Sequence, residues 1–278
     1  MTKLIECVPN FSEGRDLSLV DDIVGAIKAC KVLNVHSDPD HNRSVVTFIG
    51  EPDSVSQAAF ELTERAMQLL DIREHKGEHP RIGVVDVVPF VPVKNISVQE
   101  TVELAHAFAH AAATKLALPV YLYGEAAKRK EHKELPTVRQ QKFEPDFGKG
   151  KHPTAGTIAV GVRDFLIAFN INLATRDLDL ARSIARNIRE NQGGLPGVRA
   201  LGIDLVSRGI TQVSINLCDH RTTSLKTVFD SVKRWADEYQ VEIIESELVG
   251  MLPKEAYSPG LEKELNIRNF SERQILSL

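Results

Sequence analysis

One order of strand and helix signals runs along this chain twice, and few folds satisfy it. In the first half, Leu4 to Pro9 reads as a strand, and Leu17 to Ala29 as an amphipathic helix with Val20, Ile23, Val24 and Ile27 on one side. Val32 to His36 and Ser44 to Ile49 read as strands around the turn sequence Ser37 to Asn42. A second helix, capped by Asp53 or Ser54, repeats Val55, Ala58, Leu62, Ala66 and Leu69 at helical spacing, and Ile82 to Val88 closes the set. The order is βαββαβ, a ferredoxin-like unit.

An added helix follows from Ser97 to about Leu116, opened by the capping box Ser97/Glu100. Then come a strand at Val120 to Tyr123, a polar, basic stretch from Gly124 to about Gln141 read as a short helix and a connection, a glycine-rich loop and a strand at Thr157 to Val162. The second half repeats the first. Phe165 to Leu173 is a strand, and Thr175 caps a helix that runs to about Asn191 and ends at Gly193 and Gly194. Val198 to Val206 and Ile210 to Leu217 form a hairpin, Ser224 to Tyr239 a helix, and Val241 to Ser246 the last strand. Phe270 to Leu276 reads as a short terminal helix. The expected fold is α+β, with two ferredoxin-like βαββαβ subdomains at 1–162 and 163–278. Such a sheet carries helices on one face only, yet Val84 to Val88 and Phe165 to Ala168 are apolar on both. Stacking the two sheets face to face, helices outside, answers that.

Composition narrows the function classes. A net charge of −4 is unlike a general nucleic-acid binder. No apolar run is long enough to span a bilayer, and the N-terminus lacks the apolar stretch of a signal peptide. Cys7, Cys30 and Cys218 are scattered, without metal-ligand spacing, as expected of reduced thiols in a cytoplasmic protein.

The chemistry concentrates between Asp71 and Val93. His75-Lys76-Gly77-Glu78-His79-Pro80-Arg81 is dense in ionisable groups, and an apolar β-branched run follows it. Such a cluster suits proton transfer and anion binding, and the strand, Gly77 and Pro80 fix where His79 points. A zinc reading of His75 and His79 is poor, because Gly77 and Pro80 spoil the helix that i,i+4 ligands need.

HKGEHPR followed by IGVVDVVPFVPV resembles the glutamate formiminotransferase family. So do LIECVPNFSEGRD, VHSDPDHNRSVVTFIGEP, PVYLYGEAA, PDFG, FLIAFNINL and SELVGMLP, which spread the likeness over nearly the whole chain. The resemblance implies two α/β subdomains with folate bound between facing sheets, and a homodimer. It implies transfer of the formimino group of N-formimino-L-glutamate to tetrahydrofolate, a co-substrate, in histidine degradation and one-carbon metabolism. Formyl transfer is a close variant. The cyclodeaminase domain fused to some relatives is not expected here, and no metal or nucleic-acid partner is implied.

In that family the histidine of the GEHPR motif is the catalytic acid/base, which corresponds to His79. The attacking amine must lose a proton and the leaving amine must gain one. One group titrating near neutrality does both, commonly for roughly a hundred- to ten-thousand-fold in rate. Arg43 and Arg81 are candidate carboxylate holders, with a structural salt bridge as the alternative for each. Asp38 is a candidate for the cationic formimino group, with a capped turn as its alternative. Asp86, in an apolar strand, needs a partner and either orients His79 or pairs with an arginine. The resemblance places the folate-binding segment at Gly148, Lys149, Gly150, Lys151, His152, Pro153, Thr154, Ala155 and Gly156. Asn170, Asn172, Gln212, Ser214 and Asn216 alternate along strands and suit a ring-reading sheet face.

Two other readings compete. A metal-dependent hydrolase would use His36, Asp38, His41, His75 and His79. A non-enzymatic folate-binding regulator would need no acid/base cluster.

Overall fold

The computed structural model describes residues 2–277, so Met1 and Leu278, the outermost residues of the expected subdomains, lie outside it. The chain divides into two compact units, Met1–Arg163 and Asp164–Leu278.

In the first unit, β1 (Leu4–Cys7) and β2 (Asn10–Phe11) form one interrupted strand, followed by α1 (Leu17–Val24), β3 (Lys31–Asp38), β4 (Arg43–Gly50), α2 (Pro52–Leu69) and β5 (Val85–Lys94). The sheet runs β3-β4-β1/β2-β5 with every pair antiparallel, which is ferredoxin-like order. Then α3 (Val98–Lys115), β6 (Val120–Gly124), α4 (Leu135–Val138) and β7 (Ile158–Val162) extend it. Strand β7 inserts beside β5, and both β5–β7 and β7–β6 are parallel. The Ser97/Glu100 capping box forms as expected.

Strand β5 begins later and ends later than its apolar run suggests, because it continues through Pro89 and Pro92. A proline in a central strand cannot donate to the ladder. Here the loss is met locally. Val8 N–H donates to the Pro89 carbonyl, and the Val8 carbonyl accepts instead from the Asn10 side-chain amide at 3.0 Å. The break between β1 and β2 falls at Pro9, beside this exchange.

One face of the sheet packs Ile5, Phe48, Val88 and Phe90 against Val55, Leu62, Ala105 and Phe108 of α2 and α3. Phe90 meets Phe108 edge-on at 5.5 Å between ring centroids. On the other face, Val87, Tyr121, Tyr123 and Ala159 gather around Val138 of α4 and Ile82. The polar stretch after β6 is therefore a cover over part of the open sheet face. Within it, His132 lies 3.4 Å from Asp146 and packs against Tyr121 and Phe143.

The second unit contains β8 (Ile167–Leu173), α5 (Leu178–Ile188), β9 (Val198–Leu205), β10 (Ile210–Leu217), α6 (Leu225–Glu238) and β11 (Ile243–Val249). Its order, β11-β8-β10-β9, is antiparallel and ferredoxin-like throughout. Phe169, Ile171, Val213 and Ile215 face Ala181, Ile184, Val228 and Val232 of the helices. The α5 cap is Asp177 rather than Thr175, which instead accepts from the Asp177 amide. The tail differs from its expected helix. A single 3-10 turn at Glu272–Gln274 leads into β13 (Ile275–Leu276), which pairs in parallel with β12 (Leu252–Pro253). Gln274 explains this: its amide donates to the Leu248 and Gly250 carbonyls and so holds the tail extended.

Candidate active site

Three loops at one end of the first sheet build the site. Gly14 passes so close to the Asp38–Arg43 turn that a Cβ would sit 2.3 Å from the Asp38 carbonyl. Asn42, at φ 45°, accepts from Gly14 N–H and donates to the Lys76 carbonyl. Gly77 meets the same turn, where a Cβ would lie 2.3 Å from the His41 carbonyl. The HKGEHPR loop is thus clasped to the β3–β4 turn by backbone contacts that only glycine permits.

His79 is 8% exposed. Its Nδ1 lies 2.8 Å from the Pro80 carbonyl, so Nδ1 carries the proton and Nε2 keeps its lone pair. His41 stacks on it at 5.8 Å. Burial first, then the charges of Arg43, Arg139 and His41, pushes His79 well below the ordinary imidazole value of 6.5. Burial, followed by Arg81, likewise takes His75 down to about 4. Both rings are neutral at physiological pH, and His79 is the one presented as a base.

The candidate arginines separate. Arg43, at the start of β4, makes no side-chain hydrogen bond or ion pair among the described residues. Burial, and then Arg139, lowers it to about 10. Arg81 is committed elsewhere: Nε and Nη2 donate to the His79 carbonyl, Nη2 also to His41, and Nη1 to Asn42. Its fork faces main-chain oxygens and locks the histidine loop to the turn. Asp38 caps that turn by accepting from His41 N–H at 2.7 Å, its alternative reading.

Asp86 is 2% exposed, and its hydrogen bonds go elsewhere than to His79. One oxygen accepts from Ile82 N–H and the other from Arg139 Nη2. Arg139, at the C-terminal end of α4, lay in a polar stretch expected to hold a short helix and a connection, with no role expected of the arginine. The signal for it was indirect: a carboxylate inside an apolar strand demanded a cation.

The loop of residues 148–156 lies partly within reach of the site. Gly156 bridges to Gly83, and His152 N–H and C=O pair with Gly156. His152 Nδ1 accepts from the Thr154 and Ala155 amides, so this side chain shapes the loop. Ala155 and Gly156 are buried, whereas Gly148, Lys149, Gly150, Lys151 and Pro153 are exposed. A Cβ at Gly156 would strike the Ile82 carbonyl at 2.5 Å, whereas at Gly150 it would meet nothing within 4 Å.

On the second unit, the amide carpet forms a relay. Gln212 donates to Asn172, and Asn172 donates to Glu245, which Arg208 also holds. Asn170 and Gln212 are buried, and Asn216 is exposed. Among the described residues no group of three or more His, Cys, Asp or Glu is arranged to hold a metal ion. Among the described residues no helix is long and apolar enough to cross a membrane.

A paired ferredoxin-like chain carrying a buried neutral histidine among arginines has the outline of a small-molecule group-transfer protein. The sequence comparisons say which group. Residues 4–163 match the formiminotransferase domain, N-terminal subdomain, and residues 168–260 match the formiminotransferase domain. The chain belongs to the formiminotransferase family. It is 40% identical to a glutamate formimidoyltransferase of Streptococcus pyogenes over 99% of this chain and 98% of the relative. It is 38% identical to one of Thermoplasma acidophilum over 98% and 96%. A formimidoyltransferase-cyclodeaminase of Rattus norvegicus is 41% identical over 92% of this chain, which covers 51% of that longer protein.

Proposed function

We propose that this chain is a glutamate formimidoyltransferase, moving the formimino group of N-formimino-L-glutamate to tetrahydrofolate and releasing L-glutamate. One observation carries the chemistry: His79, with Nδ1 tied to the Pro80 carbonyl, offers a buried unprotonated Nε2. Tetrahydrofolate supplies the attacking nitrogen when bound. His79 takes the proton that nitrogen sheds and returns it to the departing glutamate nitrogen. Arg43, with its free guanidinium, holds a donor carboxylate. Residues 148–156 hold the folate. The exposed cations Lys149 and Lys151 suit the carboxylates of its glutamate tail, and positive φ at Gly148 and Gly150 lets the backbone approach a flat ligand. Asp38 keeps its turn-capping role in this reading.

Residues 1–162 form the subdomain with the catalytic histidine and 163–278 its C-terminal companion. The protein acts without a metal, as a cytoplasmic homodimer in histidine breakdown and one-carbon metabolism. Cys7, Cys30 and Cys218 form no disulfide among the described residues, which suits a reducing compartment.

The test is a spectroscopic assay of tetrahydrofolate with formiminoglutamate under chelator, for wild type and His79→Ala. Loss of kcat by roughly a hundred- to ten-thousand-fold in the folded variant is expected. Equal rates remove His79 as acid/base. Turnover with a formyl donor alone moves the assignment to formyl transfer.

A further inference from the structure

Arg139 leaves much of its guanidinium unused in a place where unpaired positive charge is costly. Asp86 engages Nη2, and the Ile82 amide fixes Asp86 in turn. The Nε of Arg139 is buried and has no hydrogen-bond partner. Arg43 has none for its whole side chain among the described residues, and after burial Arg139 is the largest influence lowering its basicity. The charge count around these two groups does not close. Around Arg43, itself counted with Arg81 and Arg139, three arginines stand against two carboxylates, Asp38 and Asp86, while Arg81 also faces Arg15 and Glu78 further out. Arg81 donates from all three of its nitrogens to carbonyls, and Asp38 has given one oxygen to the turn. What remains is two guanidiniums with one carboxylate between them, beside His79, whose proton affinity both arginines depress. An anion is missing from this arrangement, and a planar carboxylate is the shape that guanidinium forks accept.

We propose that Arg139 and Arg43 together bind a carboxylate of the amino-acid donor, and that Arg139 makes the enzyme demand a dicarboxylic one. The proposal rests on the transferase reading above. It also gives the cover between β6 and β7 a task. Arg139 rides on that cover, at the end of α4, so the cover carries donor selectivity into a site otherwise built by the first βαββαβ unit. Asp86 is then a positioning residue: it orients the guanidinium without touching the donor.

The test pairs binding with kinetics. L-Glutamate binding is measured by calorimetry, and the kinetic constants for formiminoglutamate and tetrahydrofolate by the spectroscopic assay. The proteins are wild type, Arg139→Gln, Arg139→Lys and, as a surface control, Arg73→Gln. Arg139→Gln is expected to raise both the glutamate Kd and the formiminoglutamate KM on the order of 10- to 100-fold. The KM for tetrahydrofolate and the kcat at saturating donor should change far less. Arg139→Lys, which keeps the charge and loses the fork, should fall between. A folded Arg139→Gln with wild-type glutamate affinity and donor KM overturns the proposal, as does an equal loss for both substrates. If Arg139→Gln does not fold, Arg139→Lys decides: weakened glutamate binding supports the proposal and unchanged binding overturns it. Failure of wild type to bind glutamate or turn over formiminoglutamate overturns the transferase reading as well. An active wild type matched by its variants overturns only the role of Arg139.

Discussion

The two units share a sheet order and differ in what they place on the face away from their helices. In both, a βαββαβ chain gives an antiparallel sheet with apolar side chains turned to two helices. On the opposite face the first unit sets the neutral ring of His79 with the charged groups of Arg43, Asp86 and Arg139, drawn from a loop, two strands and the cover. The second sets neutral amides, Asn172 and Gln212, linked in a chain that ends on Glu245. Eight of the nine histidines lie in the first unit, leaving His220 alone in the second. One fold thus supplies an ionic end for chemistry and a hydrogen-bonding surface for shape. The helix-side core constrains neither choice, which is why a duplicated architecture can divide labour.

The comparison can be tested at its common part first. Phe169→Ala empties the buried core of the second unit and should cost about 3–5 kcal/mol, read in urea melts by the fluorescence of Trp235, the chain's single tryptophan. A much smaller loss would mean that this core is not the shared support inferred here. The amide relay comes next. Asn172→Ala removes the acceptor of Gln212 Nε2 in a buried place and should cost about 1–3 kcal/mol while leaving the His79 pH profile unmoved. A shifted profile would tie the amide face to the ionic one.

A pH series separates the units more finely. His79 is held below its unfolded value, so between that value of 6.5 and its lower folded one the unfolded chain binds a proton that the folded chain refuses. Stability should fall as pH drops through this window, by at most about 1.4 kcal/mol per pH unit for His79. The half-exposed His75 adds less, down to about 4. His79→Gln should flatten the slope of ΔG against pH in chemical melts. The smallest effect contrasts two glycines of one loop. Gly156→Ala meets the Ile82 carbonyl as well as a φ of 74° and should cost about 1–3 kcal/mol. Gly150→Ala, at φ 61° in open space, should cost about 1 kcal/mol in thermal melts.

Much of this organisation was written in local patterns. The helices α3 and α6 announce themselves by spacing and caps, and the hairpin β9–β10 by its turn; α2 shows by spacing alone, because it starts at Pro52 after Glu51 and neither Asp53 nor Ser54 caps it. His79 stood out because glycine, proline and a strand surround it. What stayed hidden depends on partners far along the chain. Arg81 and Arg139 have the same chemistry in sequence, and only the fold shows that one grips carbonyls while the other meets Asp86. The prolines of β5 argued for ending the strand early, and a side-chain amide from β2 overrides them. The terminal segment has helical spacing, but Gln274 finds carbonyls outside it.

Those prolines have one more consequence. Because a pyrrolidine ring cannot donate, Pro89 and Pro92 act as register marks on β5. Sliding β5 by one residue against β1 would move Pro89 away from the carbonyl that Asn10 serves and set a missing donor opposite an oxygen with no substitute. Mispaired sheets are thereby penalised during assembly, before any ligand site exists. The site end of β5, with Asp86 a few residues back along the same strand, inherits its placement from that proofreading.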